Sequence, residues 1–336
     1  MVAIGVIGSG AWGTTLALLL ARKGIATTLW EHSPERVKQM ERQCENAVFL
    51  PGFPFPEMLR VTASIADAVQ HTDLLLLVTP SQRLRENLRL LAPYLGKETI
   101  LVNASKGIET SSLKRMTEVI VEELPGTGKR VAALSGPNLS REVAEGKPTA
   151  AVVAAQEHEI AVKARTILSA STFRVYTSPD IIGVELGGAL KNIIAIGAGI
   201  SDGLGYGENA KAAIMTRGLA EISRLGTAMG ANPLTFLGLA GIGDLIATCA
   251  STLSRNQQLG RRLANGEKLQ DILHSTHTVA EGVTTTRAAL QLAARHNVEM
   301  PITKQLSLVL FEELNPHQAV LELMLRNPKA ELEGIR

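Results

Sequence analysis

Two lysines and one arginine stand where their charge can do chemistry. Lys191 lies in Leu186-Gly187-Gly188-Ala189-Leu190-Lys191-Asn192-Ile193-Ile194, among small or apolar neighbours. Gly187 and Gly188, one helical turn earlier, leave no side chain under its face and predict room for a ligand there. An ammonium stripped of hydration loses protons more easily, so Lys191 is expected to exchange a proton near neutrality. The structural alternative is a buried lysine paired with a carboxylate, but an apolar, glycine-notched helix is a costly place for an ion pair alone. Lys106, in Asn103-Ala104-Ser105-Lys106-Gly107, follows an apolar run and can hold an anion or carry a proton; otherwise it is an ordinary loop lysine. Asp244 closes the glycine turn Gly241-Ile242-Gly243-Asp244 and either orients a lysine or caps a helix. Ser254-Arg255-Asn256-Gln257 has capping-box form. It predicts a helix start whose amides, with Arg255 in the first turn, suit a phosphate, although a cap without a ligand reads the same way.

A second group of residues concerns a larger ligand. Gly8-Ser9-Gly10-Ala11-Trp12-Gly13 carries G-x-G-x-x-G directly after an apolar strand and directly before a helical pattern that ends at Gly24. In that frame Gly8 permits the tight turn, Gly10 lets the backbone approach a pyrophosphate, and Gly13 allows helix to pack on strand. A glycine turn serving packing alone does not require all three at this spacing. Trp12 either packs or covers the phosphate arm. After the next strand come Glu31, His32, Ser33 and Arg36. An acid there accepts from the 2′-hydroxyl of NAD, whereas cations hold the 2′-phosphate of NADP, so Glu31 favours NAD while His32 and Arg36 keep NADP open.

The elements that must position these residues follow from the hydrophobic pattern. Strands are expected at Val2 to Ile7, Ala26 to Trp30, Leu74 to Thr79, Thr99 to Asn103, Val131 to Ser135, Ala150 to Ala154 and Phe173 to Tyr176. Helical patterns at Ala11 to Lys23, Gln82 to Leu91 and Leu113 to Glu123 alternate with them, the signature of a parallel sheet with crossover helices. Beyond Ser178-Pro179-Asp180 the pattern is helical, with Asn209 to Met229, Glu281 to Arg295 and Pro301 to Leu314 the clearest pieces. The expected fold is therefore an α/β Rossmann domain, a doubly wound and mostly parallel sheet, over residues 1–178, followed by an all-α C-terminal domain over 179–336. A chain of 336 residues suits two domains.

Composition narrows the partners. The net charge of +2 and 3% aromatic content give no basic surface or stacking platform for nucleic acid, which leaves a small molecule as the ligand. Cys44 and Cys249 have no metal spacing and suit a reducing compartment. The start of the chain has no basic n-region, and no signal peptide is expected. Ile181 to Ile200 is long enough to span a bilayer, but Glu185 and Lys191 would each cost about 2.5 to 3.5 kcal/mol at mid-membrane, so a buried helix is expected and no transmembrane segment.

Taken together the motifs resemble the bacterial-type NAD(P)-dependent glycerol-3-phosphate dehydrogenases. The resemblance is carried by Gly8 to Thr14, Val48-Phe49-Leu50-Pro51-Gly52, Ser105-Lys106-Gly107, Leu134-Ser135-Gly136-Pro137, Glu185 to Asn192, Gly241 to Leu245, Thr248-Cys249, Ser254-Arg255-Asn256 and Val279-Ala280-Glu281-Gly282. It implies reversible reduction of dihydroxyacetone phosphate to sn-glycerol 3-phosphate with NAD(P)H and no metal, in the cytoplasm, feeding glycerophospholipid synthesis. It further implies that Lys191 is the catalytic acid/base and that Lys106 contacts both cofactor and substrate. Gly136, Asn138, Asp244, Ser254, Arg255 and Asn256 would line the substrate. Gly8, Ser9, Gly10, Ala11, Trp12, Gly13, Glu31, His32, Ser140, Arg255, Val279 and Glu281 would meet the cofactor. Asn138, Ser140, Ala11 and Ser33 stand where such enzymes often have Ser, Ala, Ser and Arg, and the loss of Arg beside His32 argues against a strong NADP preference. Two other readings are a reductase of another small oxo acid on the same fold, which would need no phosphate site, and a non-catalytic dinucleotide sensor, for which a buried Lys191 would serve no purpose. The oligomeric state is left open, a homodimer included.

Overall fold

The computed structural model describes residues 2–275, 280–328 and 330–331, and the chain divides into two compact units. The first comprises Met1–Ser105 and Met116–Ile181. Its sheet has eight strands: β1 (Ala3–Ile7), β2 (Ala26–Trp30), β3 (Leu59–Thr62), β4 (Leu74–Leu77), β5 (Ile100–Asn103), β6 (Val131–Ser135), β7 (Thr149–Ala155) and β8 (Phe173–Ser178). They lie in the order β3-β2-β1-β4-β5-β6-β7-β8. All neighbours run parallel except β6 and β7, which are antiparallel, with Ser135 opposite Val152. The first six positions repeat the doubly wound dinucleotide-binding order, and β4, four leucines with no exposed surface, shows why such strands read as continuous apolar runs. β3 is absent from the sequence reading. It is four residues long, follows a proline-rich stretch and alternates too briefly to register as a period.

The second unit comprises Lys106–Arg115 and Ile182–Arg336. It differs from the sequence division in two places: residues 179–181 fall in the first unit, and the ten residues from Lys106 belong to the second although they lie between β5 and the Met116–Glu123 helix. Ile108 and Leu113 enter its core, and Arg115 pairs with buried Glu185 at 2.6 Å. At its centre is the helix Ile181–Gly203, long and apolar enough to cross a membrane, yet with 94% of its most apolar window buried by protein. The helix Arg255–Ala264 crosses it through glycines: a Cβ at Gly199 would stand 2.0 Å from the Gln257 carbonyl oxygen, and one at Gly260 2.1 Å from that of Ile196. On Gly207–Ala228, Glu221 accepts from the Ile302 and Thr303 amides at 2.5 and 3.1 Å and from the Thr303 hydroxyl at 2.9 Å. It thereby satisfies open donors of the Pro301–Phe311 helix, while burial pushes its pKa up to about 7.

Candidate active site

In the first unit the turn between β1 and the helix Ala11–Arg22 is built as the glycine spacing predicts. Gly8 has φ of +112°, and a Cβ there would meet the Val78 carbonyl oxygen at 2.6 Å; one at Gly13 would meet the Gly8 carbonyl oxygen at 1.9 Å. Gly10, by contrast, faces open space, with nothing within 4 Å of an added Cβ. It is also the N-cap of a helix with no side-chain cap and no acidic residue in its first turn, so Ala11 and its neighbours present amides to whatever approaches. Trp12 packs against Phe173, ring centroids 6.3 Å apart, and its buried indole N–H has no partner. An open glycine, an uncapped helix start and an unpaired donor beside it fit a dinucleotide pyrophosphate.

Glu31, directly after β2, is 2% exposed and its oxygens are already engaged. One accepts from the Ser9 hydroxyl, the other from the Ser33 amide at 2.9 Å, with His32 Nδ1 at 2.9 Å and Arg36 at 3.2 Å beside it. The carboxylate expected to receive a ribose hydroxyl thus ties the glycine turn to the start of the Pro34–Gln43 helix, where Ser33 is the N-cap. His32 and Arg36 present the more exposed edge, 69% and 32% accessible.

The turn after β6 holds three more expected residues. Gly136 has φ of +140°, and a Cβ would lie 3.0 Å from the Ala151 Cα, so only glycine fits where the chain reverses into β7. Both polar atoms of Asn138 are buried without a partner. Such atoms are costly unless something pairs with them, which makes Asn138 a strong candidate for ligand contact. Ser140 opens the short helix Ser140–Ala144 and accepts from the Thr15 hydroxyl through its carbonyl at 3.1 Å.

In the second unit Lys106, Lys191 and Asp244 converge. Asp244, 1% exposed, receives Lys106 Nζ on one oxygen at 2.6 Å and Lys191 Nζ on the other. Lys191 also donates to the Thr248 hydroxyl at 2.5 Å, and that hydroxyl donates to the Asp244 carbonyl at 2.7 Å. Burial lowers the Lys191 pKa to about 8; Asp244 opposes this and Lys106 adds to it. The site therefore holds one carboxylate between two amines, the deeper of which titrates near physiological pH.

The glycine notch has a different cause from the one expected. A Cβ on Gly187 would meet the Ala240 carbonyl oxygen at 2.4 Å. On the Gly187 side the notch is filled by the turn Leu239–Gly243, and this close approach carries Asp244, first residue of the next helix, to Lys191. Thr248, one turn further on that helix, was missed as a site residue; its signal was the spacing of four from Asp244.

Ser254 caps its helix by accepting from the Gln257 amide at 3.3 Å, but the capping box is half formed. The Gln257 side chain donates to Asp202 at 2.7 Å instead of reaching back. Arg255 is exposed in the first turn. Neighbouring protein lowers its pKa by desolvation, and Glu281, in the first turn of Glu281–Arg295, acts the other way. Asn256 is buried: its amide donates to Asn192 at 3.0 Å and its oxygen accepts from Gly282 at 3.1 Å, ties that position helices. Val279, expected at the cofactor, lies outside the described residues.

A cavity of about 970 Å³ lies elsewhere in this unit, lined by Ile200, Ile214, Arg217, Glu221, Arg224 and Leu306 among others, and contains none of the expected site residues. Cavity size alone would therefore misplace the chemistry. Among the described residues no three His, Cys, Asp or Glu side chains cluster as metal ligands.

Residues 3–161 match the family profile described as NAD-dependent glycerol-3-phosphate dehydrogenase N-terminus, and residues 180–321 its C-terminus. A protein from Syntrophotalea carbinolica named glycerol-3-phosphate dehydrogenase (NAD(P)+) is 51% identical over 331 residues, 98% of this chain and 99% of that protein. One of the same name from Geobacter metallireducens is 52% identical over 329 residues, 98% of each. The crystal structure of a glycerol-3-phosphate dehydrogenase from Coxiella burnetii superposes with a TM-score of 0.92 at 39% identity, covering 96% of this chain and 99% of that one.

Proposed function

Since the chain belongs to the NAD-dependent glycerol-3-phosphate dehydrogenase family, we propose that it reversibly reduces dihydroxyacetone phosphate to sn-glycerol 3-phosphate with NAD(P)H, with Lys191 as the proton donor and acceptor. The observation that carries the assignment of Lys191 is the buried Lys106, Asp244, Lys191 and Thr248 cluster, whose inner amine titrates at about 8.

The bound nicotinamide supplies the hydride. Gly10 and the uncapped helix start hold the pyrophosphate, and the Asn138 amide offers its unpaired atoms to a ligand. An ammonium has three donors; Asp244 and Thr248 take two from Lys191, which leaves a third to offer to the carbonyl oxygen of a bound substrate. Lys191 gives its proton to that oxygen as negative charge builds on it, and Asp244 keeps the amine in place and restores its basicity. Two amines around one carboxylate leave a net positive site for an anionic substrate, and Lys106 stands on its outer side, 18% exposed. Arg255, at a helix start whose dipole already favours an anion, takes the phosphate. The same reading places the enzyme in the cytoplasm, where Cys44 and Cys249 stay reduced, serving glycerophospholipid synthesis, with a homodimer as the assembly that sedimentation would test.

The test is oxidation of NADH and NADPH with dihydroxyacetone phosphate, repeated with Arg255→Met and with unphosphorylated dihydroxyacetone. Loss of one charge-assisted contact lowers kcat/KM for the phosphorylated substrate about tenfold to a hundredfold. The unphosphorylated ketone changes little. Equal losses with both would assign Arg255 to the cofactor or the helix cap, and no turnover with dihydroxyacetone phosphate would remove the function.

A further inference from the structure

The geometry points to Asn46 as a positioning residue for the dinucleotide: with Thr14, it fixes the Ser9–Gly10 peptide so that the Gly10 amide faces the pyrophosphate. The inference rests on the dinucleotide reading of the glycine turn and concerns residues that have no assigned part in it.

Asn46 lies outside the glycine turn in sequence, in the segment after the Pro34–Gln43 helix, yet it is 2% exposed and its amide reaches back to that turn. Its Nδ2 donates to the Ser9 carbonyl at 2.7 Å and to the Thr14 hydroxyl at 2.8 Å. The Thr14 hydroxyl in turn donates to the same Ser9 carbonyl at 3.2 Å. The Asn46 carbonyl oxygen accepts from the Phe49 amide at 3.3 Å, and the Asn46 backbone carbonyl from the Leu50 amide at 2.8 Å, so the side chain is held from behind. Ser9 itself is gripped from its other end, its hydroxyl donating to buried Glu31.

A trans peptide is planar, with its C=O and N–H pointing in opposite directions. Two donors hold the Ser9 carbonyl inward, and the N–H of the next residue, Gly10, must therefore point away from Asn46. Gly10 is the position where an added Cβ would meet nothing within 4 Å. Without those donors the Ser9–Gly10 peptide can rotate, since Gly10 on its C-terminal side offers little resistance. The brace thus preorganises one amide for a phosphate oxygen, and its loss appears as the cost of ordering that peptide on binding.

The variants are Asn46→Asp, which turns the donor into an acceptor facing the Ser9 carbonyl, and the pair Thr14→Val and Thr14→Ser. Kd is measured for NADH by fluorescence and for ADP and adenosine by competition, with a thermal melt for each variant. Asn46→Asp raises Kd for NADH and ADP about tenfold or more. Adenosine, which has no phosphate, binds as to the parent protein. Thr14→Val shows a smaller loss of the same kind and Thr14→Ser restores the affinity. Should Asn46→Asp not fold, the Thr14 pair decides. Unchanged NADH affinity in the folded variants overturns the proposal, as does an equal loss for adenosine and ADP, which marks a merely structural contact. Failure of the parent protein to bind NADH overturns the dinucleotide reading itself, a separable outcome.

Discussion

Asp244 is the residue that pairs with both lysines, one on each carboxylate oxygen. With Lys191 as the proposed acid and base, reduction would need it protonated and oxidation would need it neutral. With a pKa of about 8, kcat/KM for reduction is flat below that pH and falls tenfold per unit above it, while kcat/KM for oxidation rises toward the same pH. Asp244 raises the Lys191 pKa, so Asp244→Asn moves both limbs to lower pH, a direction readable from initial rates across pH 6 to 10 on the order of half-unit steps. Lys191→Met lowers kcat by roughly 10²- to 10⁴-fold, the usual worth of a positioned acid, and leaves the NADH Kd in place. Substantial residual turnover would take Lys191 out of the mechanism. The lysines were legible in the sequence because charge in an apolar run has few uses. Their carboxylate partner was legible only as a turn with two meanings, and for Glu31 the sequence shows an acid after a strand but not that it also accepts from Ser9 and Ser33.

Among the elements, glycines separate two kinds of demand. A Cβ at Gly260 has no room against the Ile196 carbonyl, and Gly260→Ala is expected to destabilise the second unit by at least about 1 to 3 kcal/mol, seen as a lower urea midpoint. Gly10→Ala meets open space, leaves the melt unchanged and weakens NADH binding by crowding the pyrophosphate. If Gly10→Ala melted early and Gly260→Ala did not, both assignments would be reversed. The sequence marked the glycines but not which helix each approached, since that depends on pairings across tens of residues. Strands were found wherever an apolar run exceeded four residues, as in β1 and β6. β3 and the helices Pro34–Gln43 and His158–Leu168 were not, because a four-residue strand spans too little of a period and helices of ten or eleven residues span only about three turns of theirs. The antiparallel turn into β7 was equally hidden: Gly136 announces a positive φ, and many turns need one.

For the molecule as a whole, the ten residues Lys106–Arg115 make the second unit discontinuous, so that it is not a module a single cut can release. A fragment beginning at Ile182 would lack Ile108 and Leu113 from its core and leave Glu185 buried without Arg115. Removing one partner of a buried ion pair costs about 3 to 5 kcal/mol, a large share of a domain's stability. Residues 182–336 made alone should therefore show a broad, uncooperative thermal transition, sharpened by adding a peptide of residues 106–115; a sharp melt without the peptide would refute this. The chain's inheritance is constrained accordingly. Recombination that exchanged the C-terminal half for another would part Lys191 and Asp244 from Lys106, so this cluster of two lysines on one carboxylate can be passed on only with both halves together.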